Sequence, residues 1–441
     1  MAQLATILRF AFRVCATLAC VALVVPAARA DADPEAQGKA DAPAEGRAVG
    51  LSRRVAEKLT KAIEHFEVDE FDEALAIVDA LAKRRSLKPP DVAQIHRFRG
   101  YILVSKGNSE GAAAEFQKSL AQHALDPFAE QQTTYSLAQL HTQLGKYDQA
   151  LALIDTWFAA ERNPKPDAFF LKAMILVQQE KFEAALAPAK TAVEMSAQPR
   201  ESWVQLLVAV YIQLQDYPNV AANLERLISL SPGKKQYWVQ LAAVQNHLQQ
   251  DAKALATLRL ADQARLLTDD RDFRQLSRLL FLRDLPYQCA KEIEDAISTG
   301  SMQADADSYR MLSNCYVAAR ENELALAPLA KAGELSPDGE MYMLLGQMHL
   351  QRERYEPALE VLRKALAKSK PEQRGSVQLL IGVAQLGSKR FDDAERAFQA
   401  AANDAKVGDA ARSYLKFVAE QRVRSQQLGF VVPQTQTVAR R

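Results

Sequence analysis

A small residue that recurs at a nearly fixed interval constrains the fold of this chain more than any other feature. Successive members of the series are 33 to 38 residues apart, and an aromatic residue or Asp usually stands three positions earlier. An interval near 34 residues is typical of a helix-turn-helix repeat. These marker residues are Ala74, Ala112, Ala150, Ala185, Val220, Ala254, Ala290, Ala325, Ala358 and Ala394.

A second small residue stands twelve positions before most markers, as at Ala138, Ala173 and Gly382, and we assign Leu207 and Arg278 to this place in two units. Small side chains at both places let two helices cross closely. A generic Ala-rich bundle would show only the 3.6-residue helical period. The pattern resembles the tetratricopeptide repeat and predicts an all-α fold: a right-handed superhelical array of about ten helix-turn-helix repeats.

The N-terminus has the composition of a secretory signal peptide. Arg9 and Arg13 precede an apolar run at 14–25, and small residues lead to a predicted cleavage between Ala30 and Asp31. The apolar run is about half the roughly 20 residues that a membrane-spanning helix needs. We therefore expect export to the periplasm and no membrane segment in the mature chain.

Cleavage there would change the formal net charge from +1 to −2, because residues 1–30 contain three arginines and no acid. A balance so near zero gives no reason to expect nucleic acid as a partner. A lipid anchor at Cys20 is disfavoured, because Thr17 stands where such a signal normally has Leu.

Four segments are predicted after the signal peptide. Residues 31–50 lack a periodic apolar face and are expected to be a flexible leader. Residues 51–408 form the repeat array, residues 409–424 a capping helix, and residues 425–441 a disordered tail.

Two cysteines remain in the mature chain, Cys289 and Cys315. In an oxidising compartment they could form a disulfide between successive helices, or both could be small buried apolar groups. The sequence leaves both possibilities open.

No catalytic or metal-binding motif is present, so we expect neither enzyme activity nor a cofactor. His65 and His141 occupy the same repeat position two units apart. At about 8–10 Å between packed helices they would be some 20 Å apart, too far for one metal ion. An enzyme or a solute-binding protein, the remote alternative, would need a clustered polar site.

The first helices of such an array line the inside of its superhelix, where we expect a groove that binds a partner. Its predicted residues are apolar with amides at the edges, which suits a peptide. Part of this stripe could instead be core. The predicted groove residues are Tyr135, Gln139, Gln143, Phe170, Met174, Gln178, Val204, Val208, Ile212, Gln213, Val239 and Asn246.

A clamp for a C-terminal carboxylate, known from some repeat proteins, needs basic and amide residues over three consecutive units. Arg310 and Asn314 match its first part, but Leu344 and Ser376 occupy later places where polar or basic groups are required. We therefore expect no such clamp.

Residues from about 229 onward resemble a narrower group, the tetratricopeptide proteins encoded beside TonB, ExbB and ExbD of Gram-negative bacteria. The segments that carry this resemblance are SLSPGKKQYWVQLA (229–242), ALATLRLADQARLLT (254–268), LPYQCAKEIEDAISTG (285–300) and KRFDDAERAFQAAANDAK (389–406). The resemblance implies a periplasmic accessory to TonB-dependent outer-membrane transport.

The predicted function is therefore that of an adaptor that binds one or more partner proteins. Components of the TonB system are the candidate partners. The alternative is a scaffold or chaperone for outer-membrane or cell-wall assembly. The sequence gives no oligomeric state.

Overall fold

The computed structural model describes residues 50–427, with side chains described as far as residue 424. The predicted signal peptide, its cleavage site at Ala30 and Asp31, and Cys20 lie outside the described residues, as do nearly all of the predicted leader and most of the predicted tail. Among the described helices, none combines the length and the apolar character needed to cross a membrane.

Residues 50–427 form 21 α-helices and no strand, which confirms the all-α prediction. The first eleven are α1 (Arg53–Glu67), α2 (Phe71–Ala82), α3 (Pro89–Ser105), α4 (Ser109–Leu120), α5 (Pro127–Gln143), α6 (Tyr147–Ala160), α7 (Pro166–Gln178), α8 (Phe182–Glu194), α9 (Glu201–Gln213), α10 (Tyr217–Leu230) and α11 (Lys235–His247). The remaining ten are α12 (Asp251–Gln263), α13 (Asp270–Leu282), α14 (Pro286–Ser298), α15 (Ala306–Ala318), α16 (Asn322–Leu335), α17 (Glu340–Leu350), α18 (Tyr355–Lys368), α19 (Pro371–Gly387), α20 (Phe391–Ala401) and α21 (Gly408–Gln427).

The helices are paired, each odd-numbered helix from α1 to α19 being followed by an even-numbered partner. A residue with left-handed backbone ends every first helix, as at Asp69 with φ of 63° and Gly107 with φ of 74°. The next amide often donates to a carbonyl five residues back, as from Glu70 to His65 at 2.9 Å. This Schellman arrangement satisfies the last carbonyls of the first helix and turns the chain into the second.

The left-handed residue lies five positions before the buried marker in every described pair, so it fixes the repeat register independently of composition. The ten left-handed residues are Asp69, Gly107, Gly145, Glu180, Gln215, Gln249, Asp284, Arg320, Glu353 and Lys389. The marker residue assigned from the sequence holds in nine pairs. In the seventh, the marker is Cys289 and not Ala290, and the small residue twelve positions earlier is Ser277 and not Arg278.

The two small positions of a pair face each other where its helices cross, as in the pairs α3–α4, α15–α16 and α19–α20. Ser313 on α15 donates its hydroxyl to the carbonyl of the marker Ala325 on α16 at 2.9 Å. A Cβ added to Gly100 or Gly382 would lie within about 2.5 Å of a buried phenylalanine ring on the second helix. Larger side chains here would hold the two backbones apart, which is why the positions are small.

The chain divides after Leu248 into two compact units, which for the described residues comprise α1 to α11 and α12 to α21. The largest core cluster of the N-terminal unit is formed by buried side chains of α7 to α11, including Trp203 and Tyr237. In the C-terminal unit a second cluster joins α16 to α20. The predicted capping residues 409–424 fall within α21, whose Tyr414 ring stacks on Phe398 at 4.9 Å.

Cys289 on α14 and Cys315 on α15 form a disulfide, with their Cα atoms 5.9 Å apart. Both residues are also buried, so the two possibilities left open by the sequence are not exclusive. The bond ties the second helix of the seventh pair to the first helix of the eighth.

Candidate partner-binding face

One side of each first helix lies beside the crossing with its second helix, and the sequence interpretation places the groove on that side. Relative to the small residue at the crossing, this side carries the residues three positions before it and one, four and five positions after it. A helical turn of 3.6 residues places these four side chains on one face. We call this surface the first-helix face.

On α5 and α7, the predicted aromatic and sulfur-containing residues of this face are partly buried. The Tyr135 ring lies 5.0 Å from the Trp157 ring, and the Phe170 ring lies 6.2 Å from Trp203. Phe170 and Met174 pack against the core and keep part of their surface accessible. Burial raises the pKa of Tyr135, and the nearby Asp167 adds to the rise, so its hydroxyl stays protonated.

The predicted amides at the end of these helices connect neighbouring pairs. Gln143 accepts a hydrogen bond from the Ser109 hydroxyl at 3.2 Å, and Gln178 accepts one from the Tyr147 hydroxyl at 3.4 Å. Ser109 and Tyr147 each begin the second helix of the preceding pair. The two amide oxygens therefore contribute to contacts between repeats. Gln139, about one turn before Gln143 on α5, is partly exposed.

On α9, three predicted groove residues belong to the core. Val204, Val208 and Ile212 are at most 3% exposed, so they do not face an open groove, which corrects the sequence interpretation. Twelve positions before Val220 is Val208 itself, not Leu207, so Val208 is the crossing residue of this pair. Val204 lies one turn before it and packs inward with it.

The corrected register places Gln205 on the first-helix face, a residue that the sequence interpretation missed. Its amide donates to Glu201 at 3.1 Å and to the Tyr237 hydroxyl at 2.5 Å. Glu201 also accepts from Ser231 at 2.7 Å and from Lys234 at 2.6 Å. Counting twelve residues back from Val220 gives Val208, and Gln205 stands three positions before it. The sequence alone could therefore have identified Gln205.

The Glu201 carboxylate is held in its charged form. Burial would raise its pKa, but the hydrogen bonds from Lys234, Tyr237 and Ser231 outweigh burial and lower it. Burial and the adjacent carboxylate raise the pKa of Tyr237 to about 12. The cluster therefore fixes the first helices of two neighbouring pairs with a charge-assisted network.

The remaining predicted residues of the N-terminal unit are partly exposed: Gln213 on α9, and Val239 and Asn246 on α11. The next residue, His247, packs its ring edge-on against Tyr217 at 4.4 Å. These side chains continue the mixture of apolar and amide groups seen on α5 and α7.

His65 and His141, which occupy the same repeat position, contact different residues. His65 contacts Glu70 at 2.5 Å, and His141 contacts the Gln117 amide at 3.1 Å. Across the described part of the chain, no three His, Cys, Asp or Glu residues are grouped so that they could hold a metal ion. The first-helix face of α5, α7 and α9 thus offers apolar contact and neutral hydrogen bonding.

Helix pairs with a left-handed junction and small crossing residues define an α-helical repeat protein. The sequence matches the tetratricopeptide repeat family over residues 59–129, 135–199 and 310–374. The chain is a tetratricopeptide repeat protein. Proteins of this kind generally act as protein–protein interaction scaffolds and are typically non-catalytic. A search of curated proteins finds no match.

Solved structures of other repeat proteins are similar at low identity. A tetratricopeptide repeat protein from Parabacteroides merdae is 15% identical, covering 59% of this chain and 99% of its own, with a TM-score of 0.35. The C-terminal part of a repeat protein from Cytophaga hutchinsonii is 11% identical, covering 63% and 95%, with a TM-score of 0.39. YrrB, described as having an unusual peptide-binding site, is 17% identical, covering 38% and 83%, with a TM-score of 0.33.

Proposed function

We propose that this protein is a periplasmic adaptor that holds a segment of a partner protein on its first-helix face and assists TonB-ExbB-ExbD energised transport. The observation that carries the adaptor role is the partly exposed row of Tyr135, Phe170 and Met174 with amides beside it. Apolar surface can take the side chains of a peptide, and amides can bond its backbone.

The periplasmic location is supported by two independent features. Residues 1–30 have the order of a secretory signal peptide. The disulfide between Cys289 and Cys315 is a bond that persists in oxidising compartments and is rare in the cytosol. The link to TonB is supported by the resemblance of four sequence segments between residues 229 and 406.

Photo-crosslinking in living cells tests this proposal. A photoreactive phenylalanine analogue at Phe170 should capture TonB, ExbB or ExbD, because the side chain lies at the proposed binding surface. Ala152 is the control position, since it is exposed on the second helix α6. Capture of outer-membrane or cell-wall assembly factors alone would refute the TonB role, and equal capture at both positions would refute the binding face.

A variant separates binding from folding. Phe170→Ala should weaken the crosslinks formed from a second probe at Gln139 while changing the melting temperature little, because Phe170 is only partly buried. Ile212→Ala should leave these crosslinks nearly unchanged in the folded protein but lower its stability by about 2–4 kcal/mol, because Ile212 is a buried core side chain.

A further inference from the structure

One corner of the N-terminal unit contains basic side chains from two segments that are separated in sequence. Ser52, which precedes α1, donates its backbone amide to Asp91 on α3 at 2.8 Å and its hydroxyl to the same carboxylate at 2.6 Å. Lys88, the last residue of the loop 83–88 between α2 and α3, donates its backbone amide to that carboxylate at 3.1 Å. The start of α1 and the loop 83–88 therefore meet at Asp91.

Five basic side chains of these two segments have no counter-ion, and we call them the basic corner. Four are exposed and one, Arg84, is partly buried. Among the described residues, none of the five forms an ion pair or a side-chain hydrogen bond. The basic corner consists of Arg54 and Lys58 on α1 and of Lys83, Arg84 and Arg85 in the loop 83–88.

The acidic side chains around the basic corner do not neutralise it, because each already has a basic neighbour. These pairs are Glu57 with Arg53 at 3.0 Å, Asp79 with Arg99 at 3.1 Å, and Asp91 with the nearby charge of Lys88. Residues 50–58 and 83–91 together contain seven basic and two acidic side chains, which leaves five positive charges. The local surplus is large although the chain as a whole is nearly neutral.

Helix stability does not account for the basic side chains at the start of α1. This helix begins with Arg53 and Arg54 and has no acid in its first turn. The N-terminal end of a helix carries partial positive charge, so acids stabilise it and basic side chains there do the opposite. A contact with negative charge outside the protein would offset this repulsion.

The two segments of the corner also lack the apolar centre that a protein partner would need. Leu51 and Leu87 are partly buried and Val55 is buried, so no large apolar side chain of 50–58 or 83–91 is exposed. Stable protein interfaces have a largely apolar centre that is depleted in charge. Anionic lipid headgroups differ, because clusters of about four to eight Lys and Arg bind them through charge alone.

We propose that the basic corner docks the protein on a membrane surface rich in anionic phospholipid. Each basic side chain near such a surface strengthens binding by about fivefold, so five of them suffice for measurable association. The guanidinium groups of the three arginines would bond phosphate oxygens, and the two lysines would add charge. The proposal is independent of the first-helix face and adds a surface on which the adaptor is held.

Residues 31–49 of the predicted leader are the other candidate occupant, because they end at the basic corner. A Cβ added to Gly50 would lie 3.6 Å from Pro90, the second residue of α3. Residues 31–49 contain five acidic and two basic side chains, a surplus of three negative charges. The five positive charges of the corner exceed these three, so the corner stays positive toward a membrane even with the leader lying over it.

Flotation of the full exported chain with lipid vesicles tests the proposal. Vesicles with about 40% phosphatidylglycerol in phosphatidylcholine should carry the protein to the top of the gradient at about 0.05 M salt. Vesicles of phosphatidylcholine alone should not. Raising the salt concentration to about 0.5 M should release the protein, because salt screens exposed charges.

Two charge-reversal variants, one in each segment, locate the contact. Arg84→Glu with Arg85→Glu changes the loop, and Arg54→Glu with Lys58→Glu changes α1. Each should lower the partition coefficient at least about tenfold, because two attractive charges become repulsive. These side chains have no partners in the fold, so circular dichroism should show melting temperatures close to that of the parent.

Lys253→Glu with Lys370→Glu is the matched control, since it changes the net charge equally at exposed positions outside the corner. Its partition coefficient should stay within about twofold of the parent value. Equal loss in the control and the corner variants would overturn the proposal, because net charge and not the corner would then determine binding.

Absence of flotation with anionic vesicles would overturn the proposal, as would equal flotation with neutral vesicles or unchanged partition in both corner variants. Binding that appears only in a chain lacking residues 31–49 would also overturn it, because the leader would then occupy the corner in the intact protein. None of these results affects the crosslinks expected at Phe170, so failure here leaves the adaptor function standing.

Discussion

Glu115 on α4 is a buried carboxylate in contact with three side chains. It contacts the His96 ring at 2.6 Å, Lys118 at 2.8 Å and Arg99 at 3.8 Å. Burial would raise its pKa, but the hydrogen bonds from Lys118 and His96 and the charge of Arg99 lower it below the usual value. The charged form therefore stabilises the N-terminal unit where α3 packs on α4.

Replacing Glu115 with Gln should lower the free energy of unfolding by about 2 kcal/mol near pH 7, the loss expected for charged hydrogen bonds. Because the folded pKa is depressed, the contribution is complete above the usual Glu pKa of about 4.3. It is lost as the pH falls through the lower folded value, so the two proteins should converge in acid. Urea unfolding followed by circular dichroism between about pH 7 and pH 3 measures this.

Glu110→Gln is the matched control, since Glu110 is exposed in the first turn of the same helix. Its unfolding free energy should stay within about 0.5 kcal/mol of the parent at every pH. A constant difference between Glu115→Gln and the parent down to the lowest pH would show that shape, and not charge, determines the effect.

At the scale of the helix pair, the close crossing of two helices determines the fold. It also produces the pattern of small residues from which the fold is predicted. A small residue is required wherever two backbones approach, so the interval between markers predicts the pairs directly. The register assigned from the sequence is wrong in the seventh pair, where two adjacent residues both suit the marker position. Cys289 and Ala290 are adjacent, small and buried, and composition alone does not say which faces the crossing.

The left-handed residue that resolves this ambiguity has no consistent residue type. Eight of the ten junctions in the described pairs use a residue other than glycine, such as Gln215 or Lys389. Their conformation follows from the Schellman hydrogen bonds of the finished pair, not from local preference. The same limit applies to the site: the twelve-residue step identifies the first-helix face, but exposure on it depends on how neighbouring pairs pack.

The crossing model makes a sharp prediction for two alanines on α6. Ala150 is fully buried opposite Ala138, whereas Ala152, two residues along, is exposed. Ala150→Glu should lower the free energy of unfolding by at least about 3 kcal/mol, because it places an unpaired charge in the core. Ala152→Glu should change it by less than about 0.5 kcal/mol. Thermal and urea unfolding measure the stability of the two variants. If the two were equally stable, the assigned register would be wrong.

At the scale of the whole molecule, a repeat array needs its last apolar face covered. Helix α21 does this for the tenth pair. Val418 is buried against Ala394 and Phe398, and Arg422 pairs with Asp392 at 2.6 Å and Glu395 at 2.8 Å. The stacked contact of Tyr414 on Phe398 completes the cover.

Truncation after residue 407 should therefore expose the α20 face, at a cost of about 2–3 kcal/mol for Phe398 alone. Exposed apolar surface of this kind promotes self-association. We expect faster amide hydrogen exchange in α19 and α20, and dimers or larger species by size-exclusion chromatography with light scattering. Truncation after residue 427 retains α21 and should leave exchange in these helices unchanged. A monomeric 407 truncation with native exchange rates would mean that the tenth pair is stable without a cap, and that α21 serves another purpose than covering the core.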